Sequence, residues 1–263
     1  MSSTTSTFTF SPVVPVDVPA LTEISGLGFA NDRHTLLKTA HPTRPYDHAG
    51  GMPESFEYWR SLPPGKLEVT KAVDNETGQI MGFVCWATKL NKPDGQSAQQ
   101  KETQDASTAD GNAEGPERKP KLPASATPPD YVKTTSPDLD PLGQLEELTS
   151  AHFADFQKRM MPEGTRCMYV VGITVHPKFQ GRGVGEALMR LGTQRADAEG
   201  VFCWVHSSED GYALYRKCGF EIADTLEIDL DEWARKMDIK PPMGDEKWGK
   251  YTFRYMVRQP KAA

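Results

Sequence analysis

A buried strand that runs into a glycine-rich loop and then a helix constrains the fold more than any other part of the sequence. The run Cys167–Val175 contains no charged residue, as is typical of a strand covered on both faces. Gly172 interrupts this run, which indicates a bulge or the close approach of another backbone. From Val184 onward, apolar residues recur at the spacing of an amphipathic helix. The sequence therefore predicts a strand–loop–helix unit.

The loop of this unit places three glycines at alternate positions, in Gln180-Gly181-Arg182-Gly183-Val184-Gly185. Glycine leaves backbone N–H groups accessible, and the first amides of a helix lack internal partners and lie at its positive end. We therefore expect an anion site suited to phosphate, to which the Arg182 guanidinium could add a charged contact. The loop has neither the Gly-Lys-Ser/Thr ending of a P-loop nor the Gly-x-Gly-x-x-Gly spacing of a dinucleotide-binding loop.

A hydrophilic stretch divides the chain in two. Residues 92–121 contain no Val, Ile, Leu, Met, Phe, Trp, Tyr or Cys. Such a stretch buries nothing and cannot offset the entropy lost on ordering. We expect 92–141 to be a disordered insertion within one domain. Residues 1–91 would then hold the N-terminal part of this domain and residues 142–263 its C-terminal part.

Strand and helix patterns alternate around this insertion, and 67–73 with 79–88 form a hairpin pattern. The remaining strands are predicted at 8–16, 167–175, 201–206, 220–230 and 250–258, the last with one buried face. The helices are predicted at 21–39 (with a break near 26–28), 54–61, 145–161, 184–200 and 211–218, the last capped by Gly219. The hairpin pattern argues against a purely parallel sheet built from βαβ units.

Charge and composition exclude several function classes. A net charge of −6 and a pI near 5.6 give no positive field for nucleic acid, and no apolar run is long enough for a membrane span. The N-terminus lacks a secretory signal pattern, so we expect a cytoplasmic and possibly nuclear protein. The four cysteines form no C-x-x-C pair, which favours reduced, buried thiols and no metal site.

Two motifs in the C-terminal half of the chain resemble those of the GCN5-related N-acetyltransferase (GNAT) family. The loop at 180–185 matches the family's Q/R-x-x-G-x-G/A signature, and the segment from Ala213 to Phe220 is similar to its second hallmark. The resemblance implies an α+β fold with a mixed sheet and helices on both of its faces. Two central parallel strands of that sheet, ending at Val175 and His206, would splay apart to admit acetyl-CoA. It further implies a set of residues that contact this co-substrate: Ile173, Thr174 and Val175 along the pantetheine, and Gln180, Gly181, Arg182, Gly183, Val184, Gly185 and Glu186 around the pyrophosphate.

The resemblance also implies direct attack of an amine on the thioester. Tyr215 matches a tyrosine that many members place near the sulfur, and we expect it to act as the acid. His206, which follows the next strand, is the candidate base, directly or through water. The acceptor site would be walled by the helix and loop at 29–61, within the N-terminal part at 1–91, and by the loop between the last two strands at 231–249. Residues 142–263 would form the half of the domain that binds acetyl-CoA.

We therefore expect an N-acetyltransferase that uses acetyl-CoA, without a metal, to acetylate a primary amine of a small molecule. Three alternatives stay open: a protein lysine or N-terminal acetyltransferase, a non-catalytic acyl-CoA-binding module, and a binder of another nucleotide phosphate. A homodimer is possible, and no nucleic acid or membrane partner is expected.

Overall fold

The computed structural model of the protein describes residues 7–89 and 136–261, so that most of the predicted insertion lies outside the described residues. Its strands are β1 (Phe8–Pro12), β2 (Leu67–Asp74), β3 (Ile80–Lys89), β4 (Cys167–Val175), β5 (Phe202–Ser207), β6 (Glu221–Asp229) and β7 (Lys250–Arg258). Its helices are α1 (Val18–Phe29), α2 (Arg33–Thr39), α3 (Met52–Ser61), α4 (Pro141–Met160), α5 (Val184–Ala198), α6 (Tyr212–Lys217) and α7 (Leu230–Met237). No helix within these ranges is both long enough and apolar enough to span a membrane.

The strands form one mixed sheet in the order β1-β2-β3-β4-β5-β7-β6. The pairing of β4 with β5 is parallel, and the other pairings are antiparallel. Helices cover both faces: Val84 and Trp86 of β3 pack in one core cluster with α5, whereas Phe83 packs in another with α1. Because side chains alternate along a strand, a strand covered on both faces must be apolar on both, as β3 is from Ile80 to Ala87. The predicted α+β fold with a mixed sheet is confirmed.

Two glycines let helices lie unusually close to the sheet. A Cβ at Gly192 of α5 would stand 2.0 Å from the Trp86 indole, and a Cβ at Gly28 of α1 would stand 2.2 Å from the Thr174 methyl group. The predicted helix break near 26–28 is therefore wrong, since α1 runs through Gly28 and uses it for packing. The chain breaks instead after Phe29, and Asp32 then caps α2 by accepting from the Thr35 amide at 2.8 Å.

Several element boundaries differ from the prediction. The first strand ends at Pro12 because Pro15 begins a 3-10 turn, and α4 begins at Pro141, where Asp140 accepts from the Gly143 amide. Helix α7 lies in a segment that we expected to be a loop.

The last strand, β7, has its second half buried on both faces, which corrects the prediction of one buried face. Its buried Arg258 forms a double hydrogen bond with the Asp197 carboxylate, at 2.7 Å to each oxygen.

Candidate active site

The two parallel strands at the centre of the sheet diverge. Pairing between β4 and β5 covers Cys167–Val170 and Phe202–Val205 and then stops. Beyond this point β4 stays paired with β3 as far as Val175, and β5 stays paired with β7 as far as Ser207. The register of β4 against β3 shifts next to Gly172, which is the bulge that the sequence predicts, and a bulge bends the strand that carries it.

A cavity of about 920 Å³ opens where these strands separate. One part of its wall comes from the end of β4, the glycine-rich loop and the start of α5: Val170, Val171, Gly172, Ile173, Thr174, Val175, Phe179, Gln180, Gly181, Gly183, Val184, Gly185 and Glu186. The rest comes from the α1–α2 turn, the end of β5, helix α6 and β7: Gly28, Phe29, Asp32, Val205, His206, Ser208, Asp210, Gly211, Leu214, Tyr215, Lys217 and Phe253.

The free edge of β4 offers backbone hydrogen-bonding groups to this cavity. The His176 amide donates to the Met81 carbonyl at 2.9 Å, so the backbone groups of His176 point toward β3. Because these groups alternate between the two edges of a strand, Ile173 and Val175 direct theirs toward β5. The Val175 carbonyl accepts from the Gln180 side chain at 3.1 Å. The edge is otherwise open to an extended ligand.

The glycine-rich loop presents a row of unpartnered amides beside that edge. Gly181 and Gly183 adopt positive φ angles of 74° and 80°, and a Cβ on either would meet nothing within 4 Å. Within the described part of the chain, no amide from 181 to 186 donates to a backbone carbonyl, and the first helical bond is that of Ala187 to Gly183 at 3.0 Å. Such amides at the positive end of a helix bind anions, most readily phosphates.

Arg182, the predicted source of an additional charged contact, lies outside the cavity lining. Its guanidinium stands over the Phe179 ring, 5.3 Å from the ring centre. A phosphate contact by this side chain stays a prediction.

Tyr215 lies on α6, buried, and lines the cavity beside the edge of the Phe220 ring. Burial raises the pKa of its phenol well above the usual value of about 10, so the group stays protonated at neutral pH. Its hydroxyl makes no hydrogen bond to any residue within 7–89 and 136–261, which leaves the proton available to a ligand.

His206 lines the cavity from the end of β5 and is enclosed by aromatic rings. Its imidazole stacks on Tyr255 at 4.6 Å and lies 4.6 Å from Phe253 and 5.1 Å from Phe153. The Nε2 atom is buried with no hydrogen-bond partner in the described structure. Burial, followed by the charges of His152 and His34, lowers the pKa of His206 to about 4. A base with this pKa is poorly matched to proton transfer at pH 7, which argues against direct general-base action.

The α1–α2 turn contributes a carboxylate that the sequence analysis did not single out. Asp32 is only 5% exposed and lines the cavity. Its second oxygen accepts from the Tyr251 hydroxyl at 2.5 Å, in addition to its helix-capping bond. The helix-capping pattern was visible in the sequence. The position of Asp32 at the cavity could not be read from the sequence, because it depends on how α1 packs against β4.

Two acidic residues follow β5, and they differ in their contacts. Glu209 is held by Arg33 at 2.6 Å and by the Thr252 amide at 3.1 Å, so its charge is compensated. Asp210 lines the cavity, and burial together with the charges of Asp32 and Glu209 raises the pKa of its carboxyl. Like charges thus meet at this end of the cavity.

The cysteines and acidic residues of the described segments form no group that could hold a metal ion. Cys85, Cys167, Cys203 and Cys218 are free thiols; the first three are buried, and Cys218 is half-buried.

Comparisons with known proteins were made on both the sequence and the fold. Residues 152–222 match the family model of the acetyltransferase (GNAT) domain. A search of curated proteins found no match. Among solved structures, the chain is similar to the Drosophila melanogaster polyamine N acetyltransferase, with 16% identity, coverage of 96% of this chain and 99% of that one, and a TM-score of 0.52.

Two further solved structures resemble the chain over most of its length. One is the phosphinothricin acetyltransferase of Sinorhizobium meliloti in complex with AcCoA, with 15% identity, coverage of 98% and 91%, and a TM-score of 0.45. The other is the Escherichia coli ribosomal-protein-S18-alanine N-acetyltransferase, with 13% identity, coverage of 97% and 96%, and a TM-score of 0.44.

The family match covers the segment that contributes β4, the glycine-rich loop, α5, β5 and α6, and the mixed sheet around it has the GNAT fold. Residues 152–222 are therefore similar to the acetyltransferase domain of the GNAT family, and the sheet around them has the GNAT fold.

Proposed function

We propose that the protein transfers an acetyl group from acetyl-CoA to a primary amine of a small molecule. The observation that carries this proposal is the row of unpartnered amides at 181–186 beside the open edge of β4. A ligand with a diphosphate and an extended amide-containing arm suits both features at once. The amides of the loop would hold the diphosphate, and Ile173 and Val175 would pair with the arm as an added strand does.

The residues at the end of β4 would position the reacting group. Acetyl-CoA supplies the acetyl group as a thioester. The Val175 amide would donate to the carbonyl oxygen of that group as negative charge develops there. During transfer the N–C bond forms, the C–S bond breaks, and the amine proton leaves to solvent.

Tyr215 and His206 would contact the two reacting groups, the thioester sulfur and the amine nitrogen. The protonated Tyr215 phenol would donate to the sulfur as its negative charge develops. The His206 imidazole, which lines the cavity and is neutral at pH 7, would pack beside the attacking amine and so help to orient the nitrogen. We therefore assign His206 an orienting role, with water as the final proton acceptor.

A coupled assay of thiol release, with acetyl-CoA and a panel of primary amines, tests the proposed function. Mass spectrometry of the product should show one added acetyl group on the amine. Thermal melts should show stabilisation by CoA and none by ATP or NAD at equal concentration, because ligand stabilisation follows concentration over Kd. Tight CoA binding without turnover across amines and peptides would favour a non-catalytic binding module, and stabilisation by ATP or NAD alone would overturn the assignment.

A further inference from the structure

Three segments that lie far apart in the sequence line the part of the cavity that is left for the amine. They are the α1–α2 turn, the loop between β5 and α6, and β7. We call their shared part of the lining the acceptor end, and it consists of Phe29, Asp32, Ser208, Asp210 and Phe253. Because β4 and the glycine-rich loop would hold acetyl-CoA, the place of the amine depends on how these three segments are held to one another.

One guanidinium group joins all three segments. Arg33 is the first residue of α2, and its Nη2 atom donates to the Glu209 carboxylate at 2.6 Å and to the Lys250 carbonyl at 2.8 Å. Its Nη1 atom donates to the Trp248 carbonyl at 2.8 Å. A planar guanidinium carries N–H groups in several fixed directions, so it can make these bonds at once, whereas a compact ammonium group cannot reproduce them.

The chain at the start of β7 is shaped to receive this guanidinium. Gly249 has a φ of 74°, and a Cβ there would stand 3.0 Å from the Nη1 atom of Arg33, so the glycine leaves the space that the guanidinium occupies. The amides of Trp248 and Gly249 donate to the Asp231 carboxylate at 2.8 Å and 3.1 Å. This segment is therefore held by Asp231 as well, and it provides a fixed anchor for Arg33.

The β5–α6 loop depends on Arg33 more than the α1–α2 turn does. The turn is also bound to β7 by the Tyr251 hydroxyl, which donates to Asp32 at 2.5 Å. Among the hydrogen bonds of residues 7–89 and 136–261, that of Arg33 with Glu209 alone joins the loop to the turn. Loss of the guanidinium would therefore release the loop first.

The placement of Glu209 carries over to its neighbours on the cavity wall. Its carboxylate accepts from the Thr252 amide at 3.1 Å, and its carbonyl accepts from the Tyr212 amide at 3.3 Å, where α6 begins. Ser208 and Asp210, on either side of Glu209, both line the cavity. A shift of Glu209 would therefore move side chains at the acceptor end.

We propose that Arg33 is a positioning residue for the amine, an inference that rests on the proposed acetyl transfer. By fixing Glu209, the guanidinium holds the β5–α6 loop, and with it the acceptor end, in one arrangement. Acetyl-CoA would contact β4 and the glycine-rich loop, to which Arg33 makes no hydrogen bond in the described structure. Loss of Arg33 should therefore impair use of the amine and spare the binding of CoA, since misplacing a reacting group by about 1 Å can cost on the order of a hundredfold in rate.

Three variants and one matched control test this role. Arg33→Met removes the guanidinium, Arg33→Lys keeps the charge without the divergent bonds, and Glu209→Gln removes the charge that Arg33 binds and keeps an oxygen for the Thr252 amide. Arg195→Met is the control, because Arg195 of α5 pairs with Glu68 of β2 at 2.7 Å, is partly exposed as Arg33 is, and lies outside the cavity lining. Partly exposed ion pairs contribute little to stability, so thermal melting should show similar, small losses in all four proteins.

The kinetic readout separates positioning from stability. Initial rates of thiol release are measured at saturating acetyl-CoA with n-butylamine, benzylamine and the fastest amine of the panel that tests the proposed function. The KM for the amine should rise on the order of tenfold in the Arg33 and Glu209 variants, while the CoA Kd from calorimetry stays unchanged. A merely structural role would lower the active fraction, which reduces the apparent kcat and leaves KM in place.

Hydrogen exchange followed by mass spectrometry locates the effect without relying on turnover. In the CoA-bound protein, the amides of 208–212 should exchange faster in the three variants than in the wild type, because the loop has lost a contact. The amides of 167–175, on the CoA side of the cavity, should exchange at the wild-type rate. The Arg195→Met control should match the wild type in both segments and in the amine KM.

The outcomes distinguish this inference from the proposed function. Wild-type turnover with an unchanged amine KM in the three variants, or a wild-type KM in Arg33→Lys, would overturn the positioning role and leave acetyl transfer intact. Absence of thiol release from the wild-type protein with every amine, despite CoA binding, would overturn the proposed transfer and the positioning role with it. If Arg33→Met does not fold, Arg33→Lys and Glu209→Gln decide between these results.

Discussion

Replacement of Gly183 by alanine probes the amide row with little other disturbance. Gly183 has a φ of 80° and caps α5, and a Cβ there would meet no protein atom within 4 Å. The stability cost is therefore conformational, about 1–2 kcal/mol for a non-glycine residue in the left-handed region. In a domain of this size a loss of 1 kcal/mol lowers Tm by about 2–4 °C. The added methyl group would, however, occupy space that a bound diphosphate needs, so we expect CoA affinity to fall at least tenfold.

Gly164→Ala is the matched control for this substitution. Gly164 precedes β4, has a φ of 78°, has no atom within 4 Å of its Cβ position and does not line the cavity. Thermal melting of both variants should give similar losses of stability. Calorimetric titration with CoA should show wild-type affinity for Gly164→Ala and weakened binding for Gly183→Ala alone. Equal affinities in the two variants would refute the placement of the diphosphate on this loop.

Three further predictions concern the cavity wall. Tyr215→Phe should lower kcat for thiol release and leave the CoA Kd nearly intact, because it removes only the phenolic donor; an unchanged kcat would exclude the acid role. Gly28→Ala should destabilise the fold by about 1–3 kcal/mol, because its Cβ would meet the Thr174 methyl group at 2.2 Å. Adding Thr174→Ser to the same chain removes that methyl group and should restore the free energy of unfolding measured in urea. No restoration would refute the packing argument. The pKa of His206 is lowered to about 4 in the folded protein, so the unfolded chain takes up a proton on this residue at a higher pH than the folded chain does. As the pH falls from 7 to 5, this residue should therefore lower the free energy of unfolding by about 2 kcal/mol. His206→Phe should reduce that slope, and an identical pH dependence in the variant would contradict it.

Most elements of the second half of the chain, α7 excepted, could be predicted closely from the sequence. The bounds of β4 and β7 agree with the prediction, since each is a continuous run of strand-forming residues with a clear end. The bulge near Gly172 and the left-handed Gly219 after α6 were predicted for the same reason, because local backbone chemistry determines them. Periodicity and glycine placement are local signals, and they work where local preference and packing agree.

The features that depend on tertiary packing could not be predicted in this way. Gly28 resembles a helix breaker in the sequence, but it serves the contact between α1 and Thr174 of β4. Asp32 resembles an ordinary helix cap, and only the fold brings its carboxylate to the cavity wall. The enclosure of His206 by three aromatic rings likewise depends on residues far apart in the chain, and it changes the role that a histidine at a strand end would suggest.

Amide NMR of protein labelled with ¹⁵N-glycine tests the central claim most directly, since the chain has 22 glycines and three of them lie in the loop. Addition of CoA should shift the amide resonances of Gly181, Gly183 and Gly185 and leave those of Gly164 and Gly200 in place. Hydrogen bonds from these amides to a diphosphate predict this pattern. Saturating CoA that leaves the three loop resonances unmoved would contradict the account.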